Sequence, residues 1–205
     1  MKPHVYHTST QKRLLDVSLA SLGLIVLSPV LLTVSVLILI TAGRPILFIQ
    51  KRIGWHNRPF SIYKFRTMWP GAHQNQWRFQ AQNQAPAPMF KIYDDPRYVG
   101  VGKWLARTGL DEVPQLINIL KGEMSVVGPR PLPIKEAAQL SSNWNFRHLV
   151  KPGIFSEWTI SPVRHQSLTA WKELDQLTLS QGSLLSDLKL TFKTIKHTLS
   201  SLTKG

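Results

Sequence analysis

The sequence predicts an α+β fold that is predominantly helical, with an apolar N-terminal segment followed by a small soluble domain. Residues 17–43 carry no charge, and this run is long enough for a membrane helix of about 20 apolar residues. Residues 46–68 contain short apolar and aromatic stretches separated by turn-forming residues, a pattern typical of paired strands. Further along the chain, apolar side chains recur at steps of three and four residues, as they do on helices.

The composition indicates an anionic neighbour. The 205 residues include 25 Lys and Arg against 11 Asp and Glu, which gives a net charge of +14. No acidic residue lies between Asp16 and Asp94. Such a balance favours nucleic acid, an anionic membrane surface or phosphorylated substrates as partners, without choosing among them. Because the chain has no cysteine, a disulfide framework and a Cys-based zinc site are excluded.

Ser28 and Pro29 lie near the middle of the apolar segment. Proline lacks a backbone donor and clashes with the preceding turn, so the sequence predicts two half-helices, each crossing about half of a hydrocarbon core of roughly 30 Å. Basic residues flank both ends of the segment: Lys12, Arg13, Arg44, Lys51 and Arg52. The positive-inside bias places both ends on the cytoplasmic side, which favours a hairpin that enters and leaves through one leaflet. A kinked helix that spans the membrane is the alternative interpretation, because membrane helices tolerate proline when a seryl hydroxyl or backbone group satisfies the freed carbonyls.

The soluble domain follows from residue 46. Residues 74–89 are rich in Gln, Asn, Ala and Pro, which predicts a loop or a poorly ordered insert. Residues 110–124 are predicted to form a helix that ends at Gly122 as its C-cap. Its apolar positions recur at helical spacing: Leu110, Val113, Ile117 and Leu120. Residues 135–150 are compatible with another helix.

The C-terminal tail, residues 183–202, has an apolar stripe at steps of three and four residues: Leu185, Leu188, Phe192, Ile195 and Leu199. Lysines lie off this stripe at Lys189, Lys193 and Lys196. A basic amphipathic helix of this kind can lie at a membrane interface. Docking of the stripe on the protein core is the more ordinary alternative.

Two adjacent carboxylates, Asp111 and Glu112, stand out in a chain with little acid. Pro114 is compatible only with the first turn of a helix, so the helix is expected to begin near residues 110–112, with Thr108 or Asp111 as its cap. There the helix dipole favours an exposed, ionised aspartate with a depressed pKa. Helical neighbours point about 100° apart, so one acid can serve as nucleophile or base and the other as a Mg²⁺ ligand. A capping Asp111 and a solvated Glu112 are the alternative.

Four basic residues are candidates for binding phosphate: Lys64, Arg66, Arg97 and Arg130. In an extended segment Lys64 and Arg66 would share one face. Arg130 lies between Pro129 and Pro131, which restrict its backbone. Arginine binds phosphate bidentately and lysine provides a point charge, although each could also be an ordinary exposed cation.

Several blocks in one order closely resemble the bacterial sugar transferase family, the monotopic phosphoglycosyl transferases that act on polyprenyl phosphate. The blocks are KRLLDVSLASLGLIVLSP, GRPILFIQKRIG, FSIYKFRTM, DDPRYVGVGKWLARTGLDEVPQLINILKGEMSVVGPRPL and RHLVKPGI, and they cover roughly residues 11–154. The resemblance implies transfer of a sugar 1-phosphate from a UDP-sugar to undecaprenyl phosphate, with release of UMP. It implies that Asp111 is the covalent nucleophile, that Asp111 and Glu112 hold Mg²⁺, and that Ser28 and Pro29 form the break of a re-entrant hairpin.

The resemblance also implies an organisation and a place in the cell. Residues 1–45 would form an N-terminal tail and re-entrant membrane hairpin, and residues 46–205 a cytosolic, membrane-associated catalytic domain with interfacial amphipathic helices. The expected location is the bacterial inner (cytoplasmic) membrane, at the first membrane step of exopolysaccharide, capsule, O-antigen or glycoprotein glycan assembly. The expected partners are the UDP-sugar, polyprenyl phosphate and membrane lipids, without nucleic acid. A homo-oligomer is compatible with the sequence.

The chain departs from the family in several places. Ala106 stands where relatives usually have a cation, and Gly109 where they have a hydroxyl. Residues 155–166, FSEWTISPVRHQ, replace a familiar Thr-Gly-Trp-Ala-Gln stretch. These departures leave the sugar open, and they leave a catalytically weak or inactive membrane-bound regulator or scaffold of glycan assembly as an alternative. The charge and the seven Trp also suggest a membrane-tethered nucleic-acid binder, although no recognised binding motif occurs.

Overall fold

The computed structural model describes residues 2–202 and is mainly helical with two small sheets, as predicted for the fold class. The α-helices are α1 (Thr10–Ala42), α2 (Gly102–Thr108), α3 (Gln115–Leu120), α4 (Ile134–Ala137), α5 (Glu157–Ile160), α6 (Leu168–Ser180) and α7 (Leu184–Leu202). The strands are β1 (Leu47–Ile53), β2 (Pro59–Phe65), β3 (Ser125–Val127) and β4 (Gly153–Phe155). Short 3-10 helices occur at Val5–Thr8, Trp55–Asn57, Gln76–Gln82, Leu110–Glu112 and Ser142–Leu149.

The apolar segment is one helix, α1, which continues through Pro29. The predicted separation into two half-helices is therefore not present. Ser28 supplies the physical reason: its Oγ donates to the carbonyl of Ile25 at 2.8 Å, the acceptor that an N–H at position 29 would have used. Among the described residues α1 is the helix long and apolar enough to cross a membrane, with a mean hydropathy of 2.7 and only 11% of that window buried.

The N-terminal half of α1 is packed against later parts of the chain. Lys12 Nζ lies 2.9 Å from an Asp16 oxygen and 2.6 Å from an Asp187 oxygen, and all three side chains are buried. Arg13 donates to two carbonyls at the end of α3, at 2.6 and 2.9 Å. Lys12 and Arg13 are thus bound by protein groups, and their role as flanking membrane charges stays a prediction.

Strands β1 and β2 form the predicted antiparallel hairpin, in a register from Leu47 opposite Phe65 to Ile53 opposite Pro59. Strands β3 and β4 form a parallel pair. The main core lies between α1, this hairpin, α3 and the second pair of strands. Its buried side chains are Ala20, Phe60, Ile62, Ile119, Met124, Val126, Val127, Ile154 and Leu190. This packing holds β2 and the turn before α3 side by side.

Two other predicted segments differ in detail. Residues 74–89 contain the 3-10 helix Gln76–Gln82 and a turn organised by Asn83, whose Oδ1 accepts from the N–H groups of Ala85 and Lys91 at 3.1 and 2.9 Å. The segment is thus a loop, as predicted, but a hydrogen-bonded one. Residues 135–150 hold the end of α4 and a 3-10 helix instead of one continuous helix.

The apolar stripe of α7 is exposed. The side chains of Leu185, Leu188, Phe192 and Ile195 are between 37% and 70% exposed. The face that packs on the core carries Asp187, Leu190 and Thr194, because the ion pair between Asp187 and Lys12 fixes the rotation of the helix. Docking of the stripe on the core is therefore the wrong alternative. The side chain of Leu199 lies outside the described residues.

Candidate active site

Asp111 and Glu112 lie on a 3-10 turn between α2 and α3. Gly109, with φ of 70°, ends α2 in the left-handed region that favours glycine. Pro114 has no N–H to reach the carbonyl of Leu110, and the N–H of Val113 bonds this carbonyl instead, at 3.3 Å. Helix α3 therefore begins at Gln115, later than predicted. The C-cap of α3 is Lys121, and the predicted Gly122 follows it with φ of 80°, the left-handed conformation that ends the helix.

Asp111 is buried, with 8% of its surface exposed, and it does not cap a helix. Burial raises the pKa of its carboxyl above the ordinary value, and Lys64, whose Nζ lies 3.7 Å from Oδ2, offsets only part of this effect. The expectation of an exposed aspartate with a depressed pKa is therefore wrong. The 3-10 turn places the carboxyl in the wall of a cavity instead of at the free N–H groups of a helix.

Glu112 is held by two of the predicted cations. Its Oε1 lies 2.5 Å from Lys64 Nζ and 2.6 Å from Arg130 Nη2, and Arg130 Nη1 donates to Oε2 at 3.2 Å. Burial alone would raise the pKa of Glu112, but Arg130 and Lys64 outweigh it and keep this pKa well below its ordinary value. The neighbouring carboxyls of Asp111 and Glu112 consequently differ in acidity.

The other two predicted cations line the same cavity but bind protein groups. Arg66 is buried and donates to the carbonyls of residues 42–44 at the end of α1, at 2.5 to 3.0 Å. Arg97 forms two hydrogen bonds to the carboxylate of Asp95, at 2.8 and 2.6 Å, and stacks on Phe90 at 5.0 Å. The structure thus brings Lys64 and Arg130 to the carboxylates, and uses Arg66 and Arg97 to fix the walls.

The cavity beside the two carboxylates has a volume of about 750 Å³. Eight basic side chains and four carboxylates line it, so its walls are strongly positive. Sequence reasoning missed Lys91, Glu136, Trp158 and Arg164, which also line it. Only the departure of residues 155–166 from the family pattern signalled that this stretch differs. Burial raises the pKa of Glu136 to about 7, since the nearby cations offset only part of the desolvation.

The Mg²⁺ site implied by the resemblance would rest on Asp111 and Glu112. Mg²⁺ usually takes one or two carboxylates and completes its shell with water and phosphate oxygens. Two adjacent carboxylates in one cavity fit this donor set. Within residues 2–202 no group of three or more His, Cys, Asp or Glu side chains offers a fuller cage. Among the described residues Asp111 has one ion-pair contact, at 3.7 Å, whereas Glu112 would have to exchange a cation for the metal.

Known proteins match almost the whole chain. The profile described as bacterial sugar transferase matches residues 7–201. The exopolysaccharide production protein ExoY of Sinorhizobium fredii is 38% identical over 188 residues, 90% of this chain and 83% of ExoY. The galactosyl transferase CpsE of Streptococcus agalactiae is 37% identical over 202 residues, 97% of this chain and 44% of CpsE. The UDP-glucose:undecaprenyl-phosphate glucose-1-phosphate transferase of Escherichia coli is 35% identical over 192 residues, 90% of this chain and 39% of the relative. The chain spans less than half the length of the last two.

Proposed function

The chain belongs to the bacterial sugar transferase family, and on that premise we propose that it transfers a sugar 1-phosphate from a UDP-sugar to undecaprenyl phosphate and releases UMP. The observation that carries the proposal is the buried Asp111 in the wall of a basic cavity, beside a Glu112 that Lys64 and Arg130 keep ionised. The names of relatives that act on UDP-glucose and undecaprenyl phosphate support the same substrates.

Asp111 is the nucleophile of a two-step transfer. In the first step a carboxylate oxygen of Asp111 forms a bond to the β-phosphorus of the nucleotide sugar, and the bond from that phosphorus to the bridging oxygen breaks. UMP leaves with the bridging oxygen and the electron pair, and the sugar phosphate remains on Asp111 as an acyl phosphate. In the second step an oxygen of the lipid phosphate forms a bond to the same phosphorus, and the Asp111 carboxylate is released. The two half-reactions predict ping-pong kinetics.

The burial of Asp111 suits this role. A carboxylate with a raised pKa is a stronger base and a better nucleophile than an exposed one. Lys64 and Arg130 supply positive charge where the transferred phosphoryl group would lie, and Glu112 holds both cations in place. Mg²⁺, when bound by Asp111 and Glu112, would neutralise phosphate charge.

Two apolar surfaces support a place at the membrane. The central part of α1, residues 21–33, is largely exposed, and the stripe of α7 is exposed as well. On a helical wheel the α7 stripe lies between the core-facing residues and the lysines Lys189, Lys193 and Lys196, the arrangement of an interfacial helix. In this proposal the exposed middle of α1 enters one leaflet of the inner membrane, and a re-entrant course would require α1 to bend at Pro29 in the bilayer. The catalytic domain then lies on the cytoplasmic face, where its lysines meet anionic lipid.

A trapping experiment tests the function. The full chain in lipid nanodiscs is incubated with Mg²⁺ and a panel of UDP-sugars, with and without undecaprenyl phosphate, and UMP release is followed. With the correct UDP-sugar alone, we expect at most one UMP per protein and the added mass of a sugar phosphate on Asp111. Steady turnover without any such adduct would contradict the covalent mechanism, and no UMP release with any UDP-sugar would favour the inactive scaffold.

A further inference from the structure

The cations predicted from the sequence are all engaged by protein groups. Lys64 and Arg130 bind Glu112, Arg66 binds carbonyls at the end of α1, and Arg97 binds a carboxylate. A substrate phosphate that used these four groups alone would compete with contacts that hold the site together. The remaining basic side chains of the cavity are therefore of interest as phosphate ligands.

Lys91 is one of these remaining cations. Its backbone is fixed on both sides, since its N–H donates to Asn83 Oδ1 at 2.9 Å and its carbonyl accepts from Gln84 N–H at 2.8 Å. Its half-buried ammonium group has no hydrogen bond or ion pair to any described residue. Burial lowers the pKa of Lys91, and the charges of Arg130 and Arg164 add to this effect.

Arg164 is another of the four remaining basic side chains, which also include Arg52 and Arg107. Its guanidinium lies over the ring of Trp158 at 5.7 Å, and that of Arg130 lies over the same ring at 5.4 Å. The Trp158 indole N–H donates to the carbonyl of Arg164 at 2.9 Å, and Arg164 itself donates to the carbonyl of Thr159. Arg164 has no carboxylate partner among the residues that the structure describes. Two guanidinium groups thus face one aromatic ring, and only that of Arg130 is neutralised, by Glu112.

One hydrophobic cluster fixes both segments. Trp158 stacks on Trp171 at 4.7 Å, and Met89, only 3% exposed, packs in the same cluster two residues before Lys91. The loop that carries Lys91 and the segment that carries Arg164 are therefore anchored to the same aromatic residues. Their positive charges line one cavity with the two carboxylates.

From this arrangement we propose that Lys91 and Arg164 form a phosphoryl-binding pair in the cavity, separate from the cations that hold Glu112. Two positive charges in the same partly desolvated cavity wall repel each other and lose hydration, which raises the free energy of the folded state unless an anion binds between them. An arginine fork and a lysine point charge together suit the oxygens of one phosphoryl group. The inference rests on the proposed function for its ligand, which is either the diphosphate of the UDP-sugar or the phosphate of the polyprenyl lipid.

The test uses the full chain in nanodiscs, with UDP as a probe that carries a diphosphate but no transferable sugar. The variants Lys91→Met and Arg164→Met are compared with two matched controls. Lys103→Met removes an exposed lysine paired with Asp94, and Arg78→Met removes an exposed arginine that stacks on Trp77 at 5.3 Å. UDP affinity is measured by calorimetry, and the KM for undecaprenyl phosphate is measured by UMP release.

We expect each cavity variant to weaken UDP binding about tenfold, the loss typical of one charge-assisted contact, and the controls to leave it unchanged. An unchanged UDP affinity with a raised KM for the lipid assigns the pair to the lipid phosphate. Arg164→Lys, which keeps the charge, should retain more affinity than Arg164→Met. Unchanged values in both measurements, with a folded protein, would overturn the inference. If the parent binds UDP through Lys91 and Arg164 but never releases UMP from any UDP-sugar, the proposed function is contradicted, whereas the proposed phosphoryl-binding pair is supported.

Discussion

Arg147 donates from Nη2 to the backbone carbonyl of Arg130 at 2.6 Å, while its Nε lies 2.7 Å from Oδ2 of the buried Asp175. Arg147 thus links α6 to the backbone of Arg130, whose guanidinium binds Glu112. A residue on α6, remote in sequence from the carboxylates, thereby helps to position the active site.

The Arg147–Asp175 pair gives the first prediction. Because both side chains are buried, removing one leaves an uncompensated charge, so Asp175→Leu should destabilise the protein by about 3 kcal/mol. The double variant with Arg147→Met should recover part of that loss, since no isolated charge remains. Thermal unfolding of both single variants and the double variant measures this. A double variant less stable than either single one would contradict the account.

Asp111→Asn should lower turnover at least a hundredfold, because the amide has no negative oxygen to attack phosphorus and the covalent step is lost. UMP release from the best UDP-sugar measures the effect. Asn keeps the size of the side chain, so an unchanged thermal midpoint serves as the control for folding. Near-normal turnover of this variant would remove Asp111 from the role of nucleophile.

Glu136 gives a prediction for the pH dependence of stability. Its folded pKa of about 7 lies above the ordinary value of 4.5, so the folded state binds its proton more tightly than the unfolded state. The favourable contribution is complete below about pH 4.5 and is lost as the pH rises through 7. Glu136→Gln should therefore gain stability relative to the parent over this window, by at most about 3 kcal/mol. Thermal midpoints of the two proteins that stay parallel from pH 4.5 to 8 would be inconsistent with the raised pKa.

Replacing Pro29 tests the topology of α1. Pro29→Ala removes the proline ring and restores the backbone N–H, so the variant should favour a straight helix across the bilayer over one bent at this residue. In that case a label that cannot cross the membrane would reach the N-terminus from outside the cell. Ser28→Ala is the opposing variant: it removes the hydroxyl that satisfies the Ile25 carbonyl but keeps the proline, so its N-terminus should stay protected. An N-terminus that stays protected in Pro29→Ala would show that the re-entrant topology does not depend on this residue.

The exposed stripe of α7 gives the last prediction. Phe192 is 70% exposed, so Phe192→Asp should change the free energy of unfolding by less than about 0.5 kcal/mol. At a membrane interface the same change would place a charge in lipid and lower turnover with undecaprenyl phosphate in vesicles. Arg78→Gln, which lowers the net charge at an exposed position outside α7, is the control. Equal turnover by Phe192→Asp and the parent would argue against contact of this stripe with the membrane.

Part of the fold follows from local sequence alone. The apolar run of α1, the hairpin of β1 and β2 and the glycine that ends α3 depend on residues a few positions apart, and their patterns predicted them. The adjacent carboxylates and the family blocks likewise stand within short stretches. The hydrogen bond that lets α1 continue through Pro29 is also local, since the Ser28 hydroxyl donates to the carbonyl of Ile25. A seryl hydroxyl that satisfies the freed carbonyl is among the alternatives that the sequence allows, but the proline predicts that the helix breaks.

The tertiary structure decided the environment of each charged group. Lys64 and Arg130 reach Glu112 from 48 and 18 positions away, and this separation carries no periodic signal. Burial, which raises the pKa of Asp111, depends on how β2 and α2 pack around its turn. The ion pair of Asp187 with Lys12 likewise rotates α7 so that its apolar stripe is exposed. The sequence determined which chemical groups were present and which local elements they formed. Packing between distant segments determined which groups came into contact. The reason is that desolvation and Coulomb interactions act through space and not along the chain.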